Sequence, residues 1–212
     1  LMTVRVAEQL GLKKILDLSK KLEIYNEIPE LLSVSLGSAE TTLLNLTAAY
    51  GSFVNGGKKI EPNLFNKIQD RRGKTIFTSS QNECIGCKNL SISTNKFPKQ
   101  ISNQERVFSE ETAYQITSIL EGAIQRGTGK KLRSLNVPLA GKTGTTNNNF
   151  DAWFIGYSSN LVVGVYVGYD QPKTLGKTET GSKAALPIFK DFMQTALKNN
   201  DFKEFNIPNN IY

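Results

Sequence analysis

Histidine is missing from all 212 residues of the sequence, and cysteine occurs only twice. Without histidine the chain lacks the side chain most often used as a general base at neutral pH, and the commonest nitrogen ligand for a transition metal. Proton transfer would therefore fall to lysine, carboxylates or hydroxyls. Cys84 and Cys87 flank Ile85 and Gly86 in a Cys-x-x-Cys pair. A zinc site needs four ligands, so this pair would depend on carboxylates or a second chain, and no metal is expected. The pair also lies between a hairpin pattern and a Ser/Asn-rich stretch, not at the strand-to-helix junction that a thioredoxin-type redox pair occupies. A local disulfide between Cys84 and Cys87 and two idle thiols are the readings left open; closing so short a loop contributes only ~1 to 2 kcal/mol.

Long apolar runs are absent too. No segment reaches the ~18 to 20 consecutive apolar residues that cross a bilayer, and no basic-then-apolar stretch opens the chain. Acidic residues are the minority, 19 against 26 basic, for a net charge of +7. That balance would suit an anionic partner, but the basic residues are scattered, with short clusters only at Lys13-Lys14, Lys58-Lys59, Arg71-Arg72 and Lys130-Lys131. A nucleic-acid interface gathers them along one face, so no nucleic-acid partner is expected. An apolar content of 39% over this length is enough for one domain with its own core.

The residues that are present divide into zones. Residues 1–57 read as mostly helical, with a turn near Pro29 and a helix from about Thr41 to Phe53 that Asn55-Gly56-Gly57 ends. Val4, Ala7 and Leu10 carry helical periodicity from the outset with no capping residue before them, the look of a helix entered midway. Residues 58–79 read as a hairpin around Asp70-Arg71-Arg72-Gly73, and 80–106 as a polar loop. Ser109 is a candidate cap for a helix over 109–126, with Glu110 and Glu111 opposing the positive end of its dipole and Gly127-Thr128-Gly129 stopping it. Three strands are expected within 139–169. A final helix over 184–198 would place Ala185, Ile188, Phe189, Phe192, Met193, Ala196 and Leu197 on one apolar stripe.

The chemistry concentrates in Leu139-Ala140-Gly141-Lys142-Thr143-Gly144-Thr145-Thr146. Gly141-Lys142-Thr143 hints at a phosphate loop, but the glycine required five residues before Gly141 is Asn136, and Gly122 to Gly127 fails because Thr128 stands where lysine is needed. In an extended segment side chains alternate, so Thr143 and Thr145 share one face while Lys142 and Gly144 share the other. Two hydroxyls ~6 to 7 Å apart can bracket one carboxylate. At a sheet edge a substrate peptide could add alongside, with Gly144 leaving room for it.

This segment, with Asp151-Ala152-Trp153-Phe154-Ile155-Gly156-Tyr157 and Val165-Tyr166-Val167-Gly168-Tyr169-Asp170 after it, closely resembles the carboxyl-terminal part of the transpeptidase domain of bifunctional, class A penicillin-binding proteins. Ser35 to Thr42, Ala48 to Gly57, and Glu179-Thr180-Gly181 with Ala184 to Phe189 resemble further stretches of that family. The resemblance implies an α+β fold of the penicillin-binding and serine β-lactamase type, an antiparallel sheet flanked by helices. It implies an acyltransferase of peptidoglycan biosynthesis that cross-links D-Ala-D-Ala stem peptides through a serine acyl-enzyme, binds β-lactams, needs no cofactor and works at the periplasmic face of the inner membrane. Such sites use Ser-x-x-Lys, Ser-x-Asn and Lys-Thr-Gly motifs.

Carried over to this chain, Lys142 and Thr145 would be catalytic, and Thr143, Gly144, Thr145 and Thr146 would bind substrate. The Thr143 and Thr145 hydroxyls would take the terminal carboxylate, the Thr145 N–H would supply half of an oxyanion hole, and Lys142 would set the electrostatics of the Ser-x-Asn serine. Leu1-Met2-Thr3-Val4-Arg5 resembles the stretch directly after the Ser-x-Asn asparagine, so both catalytic serines are expected upstream of Leu1. Ser93 to Lys96 spells Ser-x-x-Lys, and Ser80 to Asn82 and Ser134 to Asn136 spell Ser-x-Asn, but their settings are wrong and chance matches are expected. Two alternatives stay open: a catalytically dead relic, or an interaction fragment that pairs with a separate amino-terminal fragment carrying the missing motifs.

Overall fold

Three helices close on an antiparallel sheet built from the second half of the chain. The computed structural model describes residues 1–25, 27–79, 82–85, 99–197 and 203–211. In chain order the elements are α1 (Met2–Leu10), α2 (Leu12–Lys21), α3 (Leu43–Val54), β1 (Lys67–Gln69), β2 (Thr75–Thr78), β3 (Asn82–Ile85), β4 (Lys99–Ser102), α4 (Glu110–Gln125), β5 (Ala140–Thr145), β6 (Ala152–Tyr157), β7 (Val162–Val167) and α5 (Ala185–Ala196). The main sheet runs β5-β6-β7, with α3 against β6 and β7, α4 against β5, and α5 against β6 and β7. None of the described helices is long and apolar enough to cross a membrane.

Local chemistry explains where the helices start. Thr42 and Ser109 adopt extended backbone angles and their hydroxyls accept hydrogen bonds from Asn45 N at 3.1 Å and Thr112 N at 3.2 Å, each satisfying one of the orphan amides of a first turn. Glu111 lies in that first turn of α4, where a backbone N–H and the Ser109 and Asn210 side chains hold its carboxyl below the usual carboxylate range. Replacing Ser109 by alanine is expected to cost about 1 kcal/mol, read as a lower denaturant midpoint with an unchanged slope.

The best-packed core lies between α5 and one face of the sheet. Ile124, Leu132, Leu139, Ala152, Phe154, Ala185, Leu186, Phe189 and Met193 are all buried there. On α5 the inward set is Ala185, Leu186, Phe189, Met193 and Leu197, whereas Ile188 and Phe192 are each 51% exposed. The buried stripe is thus narrower than the sequence pattern predicts: steps of four keep residues 185, 189, 193 and 197 in register, and positions 188 and 192 sit to one side. On the opposite sheet face Tyr157 packs edge-on against Tyr50 and Phe205, its hydroxyl 3.1 Å from that of Thr117, and burial pushes its phenol well above the usual range.

Two stretches differ from the reading of the sequence. Within 58–79 the hairpin ladder joins Lys67–Gln69 to Thr75–Thr78, around a turn in which Gly73 is left-handed at φ 80°, while Lys58 bridges to Arg106. The Asp70 carboxylate accepts the Arg72 and Lys74 amides there, which closes a short polar turn next to the ladder. Residues 80–106 are not simply a loop, because β3 and β4 form an antiparallel ladder from Asn82↔Ser102 to Ile85↔Lys99. Ladder bonds use main-chain groups, so a pairing this short leaves little apolar alternation to read. The possible Cys84–Cys87 link involves Cys87, which lies outside the described residues.

Candidate functional site

The Lys-Thr-Gly segment is a regular strand. β5 pairs with β6 in unbroken antiparallel register from Ala140↔Tyr157 to Thr145↔Ala152, and β6 continues to β7 without a shift. Ala140 is fully buried and Gly141 is buried, which fixes the first half of β5 in the core, while Lys142 and Thr145 are exposed and Thr143 and Gly144 half-buried. The strand therefore emerges from the core at Lys142.

Register decides which of them converge. Thr143 lies opposite Phe154 and Thr145 opposite Ala152, both of which belong to the α5 core, so the two hydroxyls share the α5 face. Lys142, opposite Ile155, and Gly144, opposite Trp153, share the other. A Cβ on Gly144 would stand 3.1 Å from the Trp153 Cβ, so glycine here leaves room for the Trp153 side chain, whose ring packs tilted against that of Tyr166 at 4.8 Å. The Lys142 ammonium does not reach across the face; it donates to the carbonyl of Thr143 at 3.0 Å.

Both threonines on the α5 face are held from outside the strand. The Thr143 hydroxyl is 2.9 Å from that of Thr128, in the loop that ends α4. The Thr145 hydroxyl accepts from the Gly181 amide at 3.0 Å, in the segment that leads into α5. Thr146 stands apart from this pair. Its hydroxyl accepts from Asp151 N at 2.8 Å and its amide donates to Asp151 O, which closes the turn between β5 and β6. Asp151 also accepts from the Tyr166 hydroxyl at 2.8 Å, a bond that keeps the phenol above its usual range.

The pairing also orients the main chain. N–H and C=O of one residue point to the same side of an antiparallel strand and alternate along it. Because Thr146 N bonds to Asp151 O, the even-numbered residues face β6, and the N–H and C=O groups of Thr143 and Thr145 face away from it. Among the described residues no strand lies beyond β5. Its outer edge thus offers a donor and an acceptor at two alternate residues, beside two hydroxyls, which is the equipment for holding an extended peptide by its main chain and its carboxylate together.

The other matches to nucleophile motifs are elsewhere. Ser134 sits in a 3₁₀ turn, Lys130–Leu135, where its hydroxyl donates to Lys131 O at 3.0 Å, and Asn136 caps that turn in a left-handed conformation. Ser80, Gln81 and Ser93 to Lys96 lie outside the described residues. Thr128 and the Gly181 amide are parts of the site that the sequence alone does not reveal. The first reads only as a helix stop and the second as part of a family-like stretch, since neither carries a local signal of its contact with β5.

Residues 2–194 match the family model described as the penicillin binding protein transpeptidase domain. The chain is 47% identical over 215 residues to penicillin-binding protein 1A of Rickettsia felis, an alignment that covers 100% of this chain and 27% of that protein. It is 31% identical over 242 residues to penicillin-binding protein 1A of Pseudomonas aeruginosa, covering 29% of it. Among solved structures it superposes on penicillin-binding protein 1A of Haemophilus influenzae with a TM-score of 0.82 at 30% identity, covering 98% of this chain and 34% of that one. The chain therefore spans less than a third of the curated relatives it matches.

Proposed function

The chain belongs to the penicillin-binding protein transpeptidase family, and from that premise we propose that β5 is the strand that grips the terminal carboxylate of a D-Ala-D-Ala stem peptide, or of a β-lactam, during serine acyl transfer in peptidoglycan cross-linking. One observation carries this reading: Thr143 and Thr145 present hydroxyls on one face of a strand whose outward main-chain groups have no partner strand among the described residues. A carboxylate is an acceptor only, so two hydroxyl donors on one face match it, and bonds to an ionised acceptor are about twice as strong as neutral ones. The outward N–H of Thr145 is the group that would face the carbonyl oxygen as it turns to oxyanion. Lys142, on the opposite face, contributes positive charge beside the strand and does not bind the carboxylate. Thr146 supports the turn and leaves the grip to its neighbours.

Gripping is not attacking. Covalent catalysis needs a nucleophile with an adjacent base, and the described serine that meets a carboxylate, Ser109 beside Glu111, is the cap of α4 and not part of the β5 site. Because the chain spans 27% of its Rickettsia felis relative, the Ser-x-x-Lys and Ser-x-Asn elements of the reaction are assigned to another part of the whole protein, and the site of action to the periplasmic face of the membrane that bounds the wall. Incubating the chain with a fluorescent penicillin is expected to give no stoichiometric covalent adduct; such an adduct would overturn this division of roles. Titration with N-acetyl-D-Ala-D-Ala should move the β5 amide resonances, and Thr145→Val should weaken that binding about tenfold, the loss of one charge-assisted bond. Unmoved β5 amides would refute the grip itself.

A further inference from the structure

Gly127-Thr128-Gly129 is left unused by the proposed function, yet its geometry is unusually constrained. A Cβ on Gly127 would stand 2.7 Å from the carbonyl oxygen of Ala123, and one on Gly129 would stand 3.1 Å from Ile124 Cγ1 and 3.2 Å from its Cα. The Gly129 amide also donates to that Ala123 carbonyl at 3.0 Å. Two glycines thus let the chain fold back tightly on the last turn of α4, and the residue they present between them is Thr128. Its hydroxyl ends 2.9 Å from that of Thr143, across 15 positions of sequence.

We propose that Thr128 is a positioning residue that sets the Thr143 hydroxyl as a hydrogen-bond donor toward a ligand carboxylate; the inference rests on the carboxylate grip proposed above. Two hydroxyls 2.9 Å apart share one proton between them. When a carboxylate binds, it can only accept, so Thr143 must spend its own proton on the ligand. The proton between the two threonines then comes from Thr128, and the bonds run Thr128 to Thr143 to carboxylate, each polarising the next. Were the direction reversed, Thr143 would turn a lone pair toward the anion.

Thr145 shows the same arrangement with the ambiguity removed. Its hydroxyl accepts from the Gly181 amide, and a backbone N–H can only donate, so the proton of Thr145 is free for a ligand. The two hydroxyls of the grip are therefore each backed by a donor from a different element, one from the end of α4 and one from the approach to α5. Thr128 is exposed, so the lone pairs it does not use are open to water and the relay leaves no buried polar atom unsatisfied.

The test compares N-acetyl-D-Ala-D-Ala with its carboxyl-terminal amide, by titration of the chain followed through its amide resonances. Wild type should prefer the carboxylate about tenfold or more, since only that ligand accepts charge-assisted bonds at both threonines. Thr128→Val should cut this preference about fivefold while the amide ligand binds as before, and Thr128→Ser should restore it. In a Thr143→Val background, a further Thr128→Val change should alter the preference no more. A merely structural role would weaken both ligands alike, so an equal loss for carboxylate and amide overturns the inference, as does an undiminished preference in Thr128→Val. Should that variant fail to fold, Thr128→Ala carries the same comparison. If wild type itself shows no preference for the carboxylate, the proposed grip falls and this inference with it; if wild type prefers it and Thr128→Val prefers it to the same degree, only the inference falls.

Discussion

Phe189→Ala is expected to destabilise the chain by about 3 to 5 kcal/mol, the range for emptying a fully buried aromatic site. Phe189 is 0% exposed and sits edge-on to Phe154 with ring centroids 4.7 Å apart. Its seat is tight: a Cβ on Gly156 would lie 2.7 Å from both rings. Such a site cannot collapse far around a lost ring, and the aromatic pair adds ~0.5 to 1.5 kcal/mol beyond area burial. For a chain of this size the melting temperature should fall on the order of ten degrees. Denaturant unfolding at an unchanged slope would measure it, and a loss under about 1 kcal/mol would mean that α5 is not the lid of the core. Because Gly181 leads directly into α5, loosening that helix also loosens the clamp on Thr145.

Gly181→Ala should have its largest effect at the site. The added Cβ would stand 2.4 Å from Trp153 O and 2.5 Å from Gly144 O, both main-chain atoms of the central sheet with no rotamer by which to yield. The segment must therefore lift from β5 and β6, breaking the 3.0 Å bond from its amide to the Thr145 hydroxyl. The expected outcome is a loss of N-acetyl-D-Ala-D-Ala affinity of well over tenfold with ~1 to 3 kcal/mol of overpacking strain. Gly73→Ala is the matching control. Its φ of 80° makes the substitution strained, but a Cβ there meets nothing within 4 Å and lies in the hairpin turn outside the main sheet, so ligand affinity should hold. Equal affinity losses in the two variants would show that Gly181 acts through general stability alone.

The features that sequence reasoning reaches and those it misses differ in range. Family membership and the α+β fold are legible because Lys142-Thr143-Gly144-Thr145 and the strand segments after it lie in one continuous run of sequence that resembles the family, and the match extends over residues 2–194. The start of α4 is legible as well, since Ser109 and Thr112 are one turn apart and capping is a local bond. The β3–β4 pairing is not, because it joins segments separated by the residues between Ile85 and Lys99 through main-chain groups common to every residue. Nor are the contacts that hold the Thr143 and Thr145 hydroxyls. Thr128 meets Thr143 across 15 positions and Gly181 meets Thr145 across 36, contacts that exist only once α4 and α5 have docked.

An open strand edge has a cost that the ligand-binding reading leaves aside. Unsatisfied main-chain groups in a row are a template for any extended chain, including another copy of β5, and proteins commonly guard such edges with lysine. Lys142 fits that duty: its ammonium lies on the Thr143 carbonyl, one of the outward acceptors, and puts a charge where a second copy would have to pack. On the proposed reading the same side chain would have to swing aside for a peptide ligand, so self-association and ligand binding would compete for one set of hydrogen bonds, and an occupied site would also be a protected one.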